Sequence, residues 1–451
     1  MSIVLLALAF MISYAASRHS LVSGLRAVLT VGYAYGIIRA NVPQTLSHFL
    51  FDAAVLGLFS AQLFTSRPRA ERTANASLYT WLWLLTLWPI ALTLIPVQDP
   101  LIQIVGLRGN IFLLPFMALG AWIRTEEDFV SLATWFAGLN LVAFGFAVAE
   151  FVVGIELFFP RNAVTQLIYQ SKDLAGATAY RIPATFTSAH AYAASMVMSI
   201  PLTVGAWARG TSPARSALLV LGALASMIGV FMAGARTHMV ILAAIGLTAL
   251  FAGTLPARTR TGVVVALLLV GIVVTRDDRL QRYETLQDTE YVGGRLHGSV
   301  NQSLLHNAVQ YPMGNGMGGG GTSIPYFLQG RIKEQVLIEN EYGKIMLEQG
   351  IPGLALWLIF IFWAFRRAWP SPRVTMRSAH LLAWVGCAGY FGSSLAGTGL
   401  LTSIPNTATI LLLLGWMISR RRQSPAIARR VLIPAPLPSR SQVVTAVSSA
   451  G

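Results

Sequence analysis

The stretch LYTWLWLLTLWPIALTLIPV, residues 78–97, is long enough to cross a bilayer and contains no charged side chain. A transmembrane α-helix needs about 20 consecutive apolar residues, because it rises about 1.5 Å per residue through a hydrocarbon core about 30 Å thick. Similar apolar runs recur over most of the chain, far beyond the length of a signal peptide. They predict an all-α integral membrane protein.

The composition agrees with this prediction. Of the 451 residues, 55% are apolar and only 11% are charged, whereas soluble proteins carry about 25% charged residues. The single cysteine, Cys387, excludes an intrachain disulfide and a cysteine-rich metal site. Soluble nucleotide-binding folds, zinc modules and disulfide scaffolds are therefore excluded.

We predict about thirteen transmembrane helices, within a range of 12–14, because the first span and the break at 234–237 are ambiguous. The predicted spans are residues 2–17, 21–38, 47–64, 78–97, 101–123, 129–153, 189–208, 216–234, 237–253, 261–275, 350–366, 379–396 and 404–419.

Arginines cluster in the segments on one side of these spans. Cytoplasmic loops of membrane proteins carry an excess of Lys and Arg, so this side is predicted to be cytoplasmic. Most of the net charge of +15 therefore reflects topology, and nucleic acid is not an expected partner. The arginines are Arg67, Arg69, Arg72, Arg209, Arg215, Arg258, Arg260, Arg366, Arg367, Arg373, Arg377, Arg420, Arg421, Arg422, Arg429 and Arg430.

The chain divides into four predicted regions. Residues 1–275 form a transmembrane bundle that includes an extracytoplasmic loop at 154–188. Residues 276–349 are a second long loop of mixed charge and helix-compatible spacing, predicted to form a mostly helical extracytoplasmic cap. Residues 350–422 supply the C-terminal transmembrane helices. Residues 423–451, rich in Pro, Ser and Arg, are predicted to be a disordered cytoplasmic tail.

Three arginines lie at the outer ends of predicted spans or loops, namely Arg108, Arg181 and Arg236. Placing a charge in hydrocarbon is costly, and guanidinium groups bind phosphate oxygens in a bidentate manner. A cluster of them would suit a lipid-linked pyrophosphate. The alternative is that each one reaches lipid headgroups or pairs with a carboxylate, and we assign Arg26 and Arg39 to that structural class.

Neither the glycines nor the histidines predict a cofactor site. The run Gly314–Gly321 lacks the Lys-Ser/Thr pair of a phosphate loop, so we interpret it as a structural turn. The seven histidines show no metal-binding spacing; His190 and His238 each begin a span near an outer-side arginine. We predict metal-independent chemistry without a cofactor.

The segment 338–353 leads from the cap into a predicted span and carries several carboxylates. At helical spacing Glu339 shares a face with Tyr342, whereas Glu341 and Lys344 could pair with each other. A partly desolvated carboxylate can accept a proton from a sugar hydroxyl, or it can be a structural partner of an arginine. Other candidates for the base remain open, namely Glu348, His297 and His306.

Five short motifs in order resemble those of the O-antigen ligase and O-antigen (Wzy-type) polymerase superfamily. The resemblance covers roughly residues 180–365. Within this range the chain has arginine motifs and glycine-rich motifs similar to those of the superfamily. The motifs are Arg181 with Thr185-Phe186, Gly234-Ala235-Arg236, Gly294-Arg295, Tyr311–Gly318, and Glu339-Asn340 through Glu348 to Leu354.

The resemblance implies a GT-C-like helical fold in a bacterial inner (cytoplasmic) membrane. It implies an undecaprenyl-diphosphate-linked glycan as donor on the periplasmic face and a glycan acceptor. It is also compatible with a partner protein that regulates chain length or exports the product. It assigns Arg236 and Arg295 to the donor pyrophosphate, with Arg181 in support, whereas Arg108 rests on the burial argument alone. Ligases usually have His where this chain has Glu339, which favours a polymerase or an exopolysaccharide relative.

The expected function is therefore that of a membrane glycosyltransferase of the polymerase type. Its catalytic residues would be Glu339 as base, with Arg236 and Arg295 stabilising the leaving diphosphate. The alternative enzyme is a ligase that transfers a glycan to lipid A core or another acceptor. The alternative from another class is a lipid-linked sugar transporter, which is expected to have discontinuous helices and polar residues at the bilayer midplane.

Overall fold

A computed structural model describes the chain except for several short segments. The described residues are 1–65, 73–172, 179–287, 289–294, 302–334, 336, 338, 340–372 and 374–419. They are predominantly α-helical and include no β-strand, only an isolated bridge between Lys172 and Tyr180. The predicted tail at 423–451 lies outside the described residues.

Seventeen α-helices are found in this part of the chain, joined by short 3₁₀ turns. The helices are α1 Ser2–His19, α2 Leu21–Asn41, α3 Leu50–Leu63, α4 Ala76–Thr93, α5 Pro100–Ile111, α6 Phe116–Ala121, α7 Glu126–Val153, α8 Gln166–Gln170, α9 Ala189–Arg209, α10 Pro213–Met232, α11 Arg236–Phe251, α12 Ala257–Val274, α13 Thr289–Gly294, α14 Gln302–Gln310, α15 Glu341–Arg367, α16 Arg377–Ser393 and α17 Asn406–Ser419.

The prediction of an all-α, multi-pass membrane protein is confirmed. Ten helical segments among the described residues are long and apolar enough to cross a membrane, and each of the thirteen predicted spans overlaps a helix. The helices at the other three predicted spans, α11, α16 and α17, have 16, 17 and 14 residues and are not among these ten. The number thirteen and the GT-C-like arrangement therefore stay predictions.

Two of the membrane helices are interrupted, and they meet close to their interruptions. The first breaks at 112–115, between α5 and α6. The second, α15, is kinked at Gly350, whose φ of 72° and ψ of −176° are not helical. Asn110 donates to Oε2 of Glu348 at 2.7 Å and accepts from Nε2 of Gln349 at 3.0 Å. These amide contacts fix the C-terminal end of α5 against the fully buried first part of α15.

The glycine run at 314–321 is a structural turn, as predicted. Its Gly314, Gly316, Gly318 and Gly321 all have positive φ values, a region that only glycine adopts without cost. A Cβ atom on Gly106 of α5 would lie 2.2 Å from the backbone nitrogen of Gly318. The run therefore packs backbone to backbone against α5, close to the Asn110 contact.

Helices α6 and α17 make a reciprocal glycine contact that gives a stability prediction. A Cβ on Gly120 would lie 1.9 Å from the carbonyl oxygen of Leu412, and one on Gly415 would lie 1.9 Å from that of Met117. We expect Gly415→Val to lower the stability by at least about 1–3 kcal/mol, since the helices must separate. The measurement is the thermal unfolding midpoint in detergent. The control Gly145→Val faces open space in α7, and equal midpoints for the two variants would contradict the prediction.

Candidate functional site

Three arginines meet at the turn between α10 and α11. Gly234 in this turn has a φ of 59°, and Arg236 is the first residue of α11. Nε of Arg181 donates to the carbonyl oxygen of Ala233 at 2.9 Å. A Cβ on Gly234 would lie 3.3 Å from Cδ of Arg282 and 3.7 Å from Nε of Arg181. We call Arg181, Arg236 and Arg282 together the arginine turn.

Both long loops contribute to the arginine turn. The backbone N–H of Arg181 donates to Ser171 at 3.1 Å, and its guanidinium donates to the Ser171 hydroxyl at 3.3 Å. Arg282 donates to the carbonyl oxygen of Lys172 at 2.5 Å. Arg181 and Arg236 were expected to lie together; Arg181 contacts the turn that leads into Arg236, and their joint role at a diphosphate stays a prediction. Sequence reasoning missed Arg282, because nothing distinguishes it from the other charges of its mixed-charge loop.

Two further predicted site residues, Arg295 and Glu339, lie outside the described residues, so their roles stay predictions. The next residue, Asn340, caps the N-terminus of α15. In the first turn of this helix the hydroxyl of Tyr342 donates to the carbonyl oxygen of Phe391 at 2.8 Å. Tyr342 therefore anchors the first turn of α15 to α16.

The charged residues of the first part of α15 are buried and structural. Lys344 and Glu341 form the predicted pair, with Nζ 3.2 Å from Oε1, and both side chains are fully buried. The other carboxylate oxygen of Glu341 accepts from the backbone nitrogens of Gly399, at 2.7 Å, and Leu400, at 3.2 Å. Glu341 therefore holds the 399–400 segment against α15.

Arg108 is paired with Asp52. Its Nε and one terminal nitrogen donate to the two carboxylate oxygens of Asp52 at 2.8 and 2.6 Å. Such bidentate pairs are the strongest arginine contacts. Of the two interpretations that the sequence left open for Arg108, carboxylate pairing is the one observed. Asp52 carried no signal in the sequence, because the two residues are 56 positions apart.

A polar cavity of about 620 Å³ lies beside this ion pair and is lined by residues of both long loops. We call it the Arg39 cavity. Its wall includes Arg39, His48 and His190. The ring of His190 packs against that of His238, with centroids 4.5 Å apart, and both imidazoles lie within electrostatic range of Arg181. The histidine pair therefore connects the Arg39 cavity with the arginine turn.

A second pocket, of about 510 Å³, is almost entirely apolar and lies between α11 and α12. We call it the apolar groove. Residues Met239 and Val240 line it, three and four positions after Arg236 and thus on the same face of α11. Val240 and Leu247 are more than half exposed, so the groove opens onto the apolar surface. Its other lining residues are Phe231, Leu242, Ala243, Gly246, Leu250, Leu267, Val270, Gly271, Val274, Thr275, Tyr283 and Leu286.

The arginine turn lies at the end of the apolar groove, since Phe231 and Tyr283, which line the groove, are close in sequence to Gly234 and Arg282.

No group of three or more His, Cys, Asp or Glu side chains suited to a metal ion is found in the described part of the chain. Neither a protein-family model nor a curated protein matches the chain. The features that bear on function are therefore the arginine turn, the Arg39 cavity and the apolar groove.

Proposed function

We propose that the protein is a membrane glycosyltransferase of the polymerase type, which uses a polyprenyl-diphosphate-linked glycan as donor. The observation that carries this proposal is the position of the arginine turn one helical turn above the apolar groove on α11. A diphosphate matches guanidinium donors and the N-terminus of a helix, and an isoprenoid tail matches an apolar groove. The donor would thus be held at both ends of its lipid carrier.

The reaction needs only bond exchange at one carbon. The acceptor hydroxyl oxygen attacks the anomeric carbon of the donor, the bond from that carbon to the diphosphate oxygen breaks, and the hydroxyl proton passes to a base. The polyprenyl diphosphate leaves with the bonding electron pair. Arg181, Arg236 and Arg282, with Arg295, would stabilise the negative charge that develops on the leaving group, and Glu339 would accept the proton.

The motif order along the chain supports a relative of O-antigen polymerases and ligases. The arginine-rich segments lie on the side opposite the two long loops, which supports an active site at those loops, on the outer, periplasmic face of a bacterial cytoplasmic membrane. The carboxylate at position 339 favours the polymerase over the ligase, as argued from the sequence. Both enzymes would use the same donor site, so the acceptor distinguishes them.

One observation favours a second candidate, a transporter of lipid-linked sugars. Discontinuous helices are typical of transporter sites, and α15 and the α5–α6 segment are both interrupted. However, polar side chains near the two interruptions bind one another: Asn110 of α5 contacts Glu348 and Gln349 of α15. These groups are thus engaged within the protein. We therefore rank transport below glycosyl transfer.

The deciding experiment incubates purified protein in detergent with a lipid-linked repeat unit and no added metal ion. A ladder of products that differ by one repeat unit is the result expected of a polymerase. A single transfer onto a different acceptor would identify a ligase. Translocation in vesicles without formation of a new glycosidic bond would identify a transporter and would contradict the proposal.

A bulky side chain in the apolar groove tests the position of the lipid tail. We expect Ala243→Phe to raise the KM for a full-length polyprenyl donor about tenfold, since displacing about two buried CH₂ groups costs roughly 1.6 kcal/mol. A donor with a short isoprenoid tail should be less affected. The control is Val264→Phe, on an exposed part of α12 outside the groove. Equal effects of the two substitutions would place the tail elsewhere.

A further inference from the structure

The Arg39 cavity contains buried polar atoms that lack hydrogen-bond partners. They are Nε of Arg39, Nε2 of His48 and Oγ of Ser323, none of which has a partner within the described ranges. All three residues line the cavity, and His48 is 7% exposed. Because buried polar groups are nearly always hydrogen-bonded, three such atoms around one cavity indicate a site for a polar ligand.

The charges around the cavity favour an anionic ligand. The charge of Arg108 is balanced by its bidentate pair with Asp52. Arg39 stacks near the ring of Tyr35, with its guanidinium carbon 5.7 Å from the ring centroid, and makes no salt bridge with a carboxylate in the part of the chain that the structure describes. Arg39 and Arg108 both act electrostatically on His48. The cavity therefore has a surplus positive charge.

The walls of the cavity combine aromatic rings with hydroxyl and amide groups. Phe49, Phe112 and Tyr326 supply ring surfaces, and Thr402 and Gln329 supply hydrogen-bonding groups. A volume of about 620 Å³ is within the range of pockets that hold small organic ligands, roughly 300–1,000 Å³. A sugar presents both hydroxyl groups and apolar C–H faces, so this wall chemistry matches a short saccharide.

We propose that the Arg39 cavity binds an acidic saccharide. A carboxylate of the sugar would be bound by Arg39, and its hydroxyl groups would pair with His48 and Ser323. The role of this saccharide as the acceptor end of the growing glycan rests on the proposed function. The His190–His238 contact would place such an acceptor beside the arginine turn, where the donor diphosphate is proposed to lie.

The test measures saccharide binding to the full-length protein in nanodiscs by titration calorimetry. The probe is a trisaccharide with two glucose residues and a terminal glucuronic acid, compared with its carboxyl-reduced form. We expect the acidic form to bind at least about tenfold more tightly. Arg39→Gln should remove this difference, and Ser323→Ala should weaken binding of both forms severalfold. The control Arg161→Gln, at an exposed ion pair with Glu156, should bind like the wild type.

Several outcomes would overturn the proposal. They are the absence of saccharide binding, equal binding of the acidic and reduced forms, and an Arg39→Gln variant that still distinguishes them while Ser323→Ala binds normally. Displacement of the trisaccharide by an equal concentration of inorganic phosphate would identify a phosphate site instead. The titration contains no lipid-linked donor, so its result is independent of whether the protein forms glycosidic bonds.

Discussion

Replacing Arg236 by alanine is expected to abolish the product ladder from a lipid-linked repeat unit. Arg236 begins α11, at the turn that Arg181 and Arg282 also contact, and at the end of the apolar groove. Charge develops on the diphosphate as its bond to the sugar breaks, and removing one group that stabilises such charge typically costs about 10²–10³ in rate. The measurement is the initial rate of ladder formation by purified protein in detergent.

Two matched variants make this result specific. Arg236→Lys keeps the positive charge but loses the bidentate donor geometry, so it should retain part of the activity. Arg161→Ala removes an exposed arginine of the 154–188 loop that pairs with Glu156, and it should leave the rate unchanged. A ladder that forms at the wild-type rate in Arg236→Ala would show that the arginine turn does not bind the diphosphate.

The membrane-spanning helices could be predicted from the sequence, because each one corresponds to a continuous apolar run of neighbouring residues. A long apolar run such as 78–97 must form a helix in a bilayer, since only a helix satisfies its own backbone hydrogen bonds there. The structure accordingly has a helix at each predicted span. The tight turn before Arg236 was visible for the same reason, because two apolar runs meet there with only a few residues between them.

The partners of the polar residues could not be predicted, because they are set by which helices become neighbours. Asp52 and Arg108 are 56 residues apart, and Asn110 and Glu348 are 238 residues apart. Apolar periodicity indicates which face of a helix is buried, but it does not indicate which other helix packs against that face. Arg39 shows the same limit, since the sequence suggested a structural role and the structure places it in the wall of a cavity.

Helix α15 begins before the span that the sequence predicted. The predicted span began at residue 350, which is where α15 changes direction. The span was predicted from the apolar run that begins at Gly350 and carries no charge before Arg366. The charged segment before Gly350 was interpreted at helical spacing, but the sequence gave no sign that it lies in the protein interior, where Lys344 and Glu348 are fully buried.

Replacing Glu341 by leucine is expected to destabilise the protein by about 3–5 kcal/mol, because the Lys344 ammonium would stay buried without its partner. The Gly399 and Leu400 amides would also lose their acceptor. The measurement is the thermal unfolding midpoint in detergent. Combining the change with Lys344→Met removes the stranded charge, so the double variant should recover much of the stability. Glu156→Leu, at an exposed pair, is the control, and an unchanged midpoint for Glu341→Leu would contradict a structural role for this buried pair.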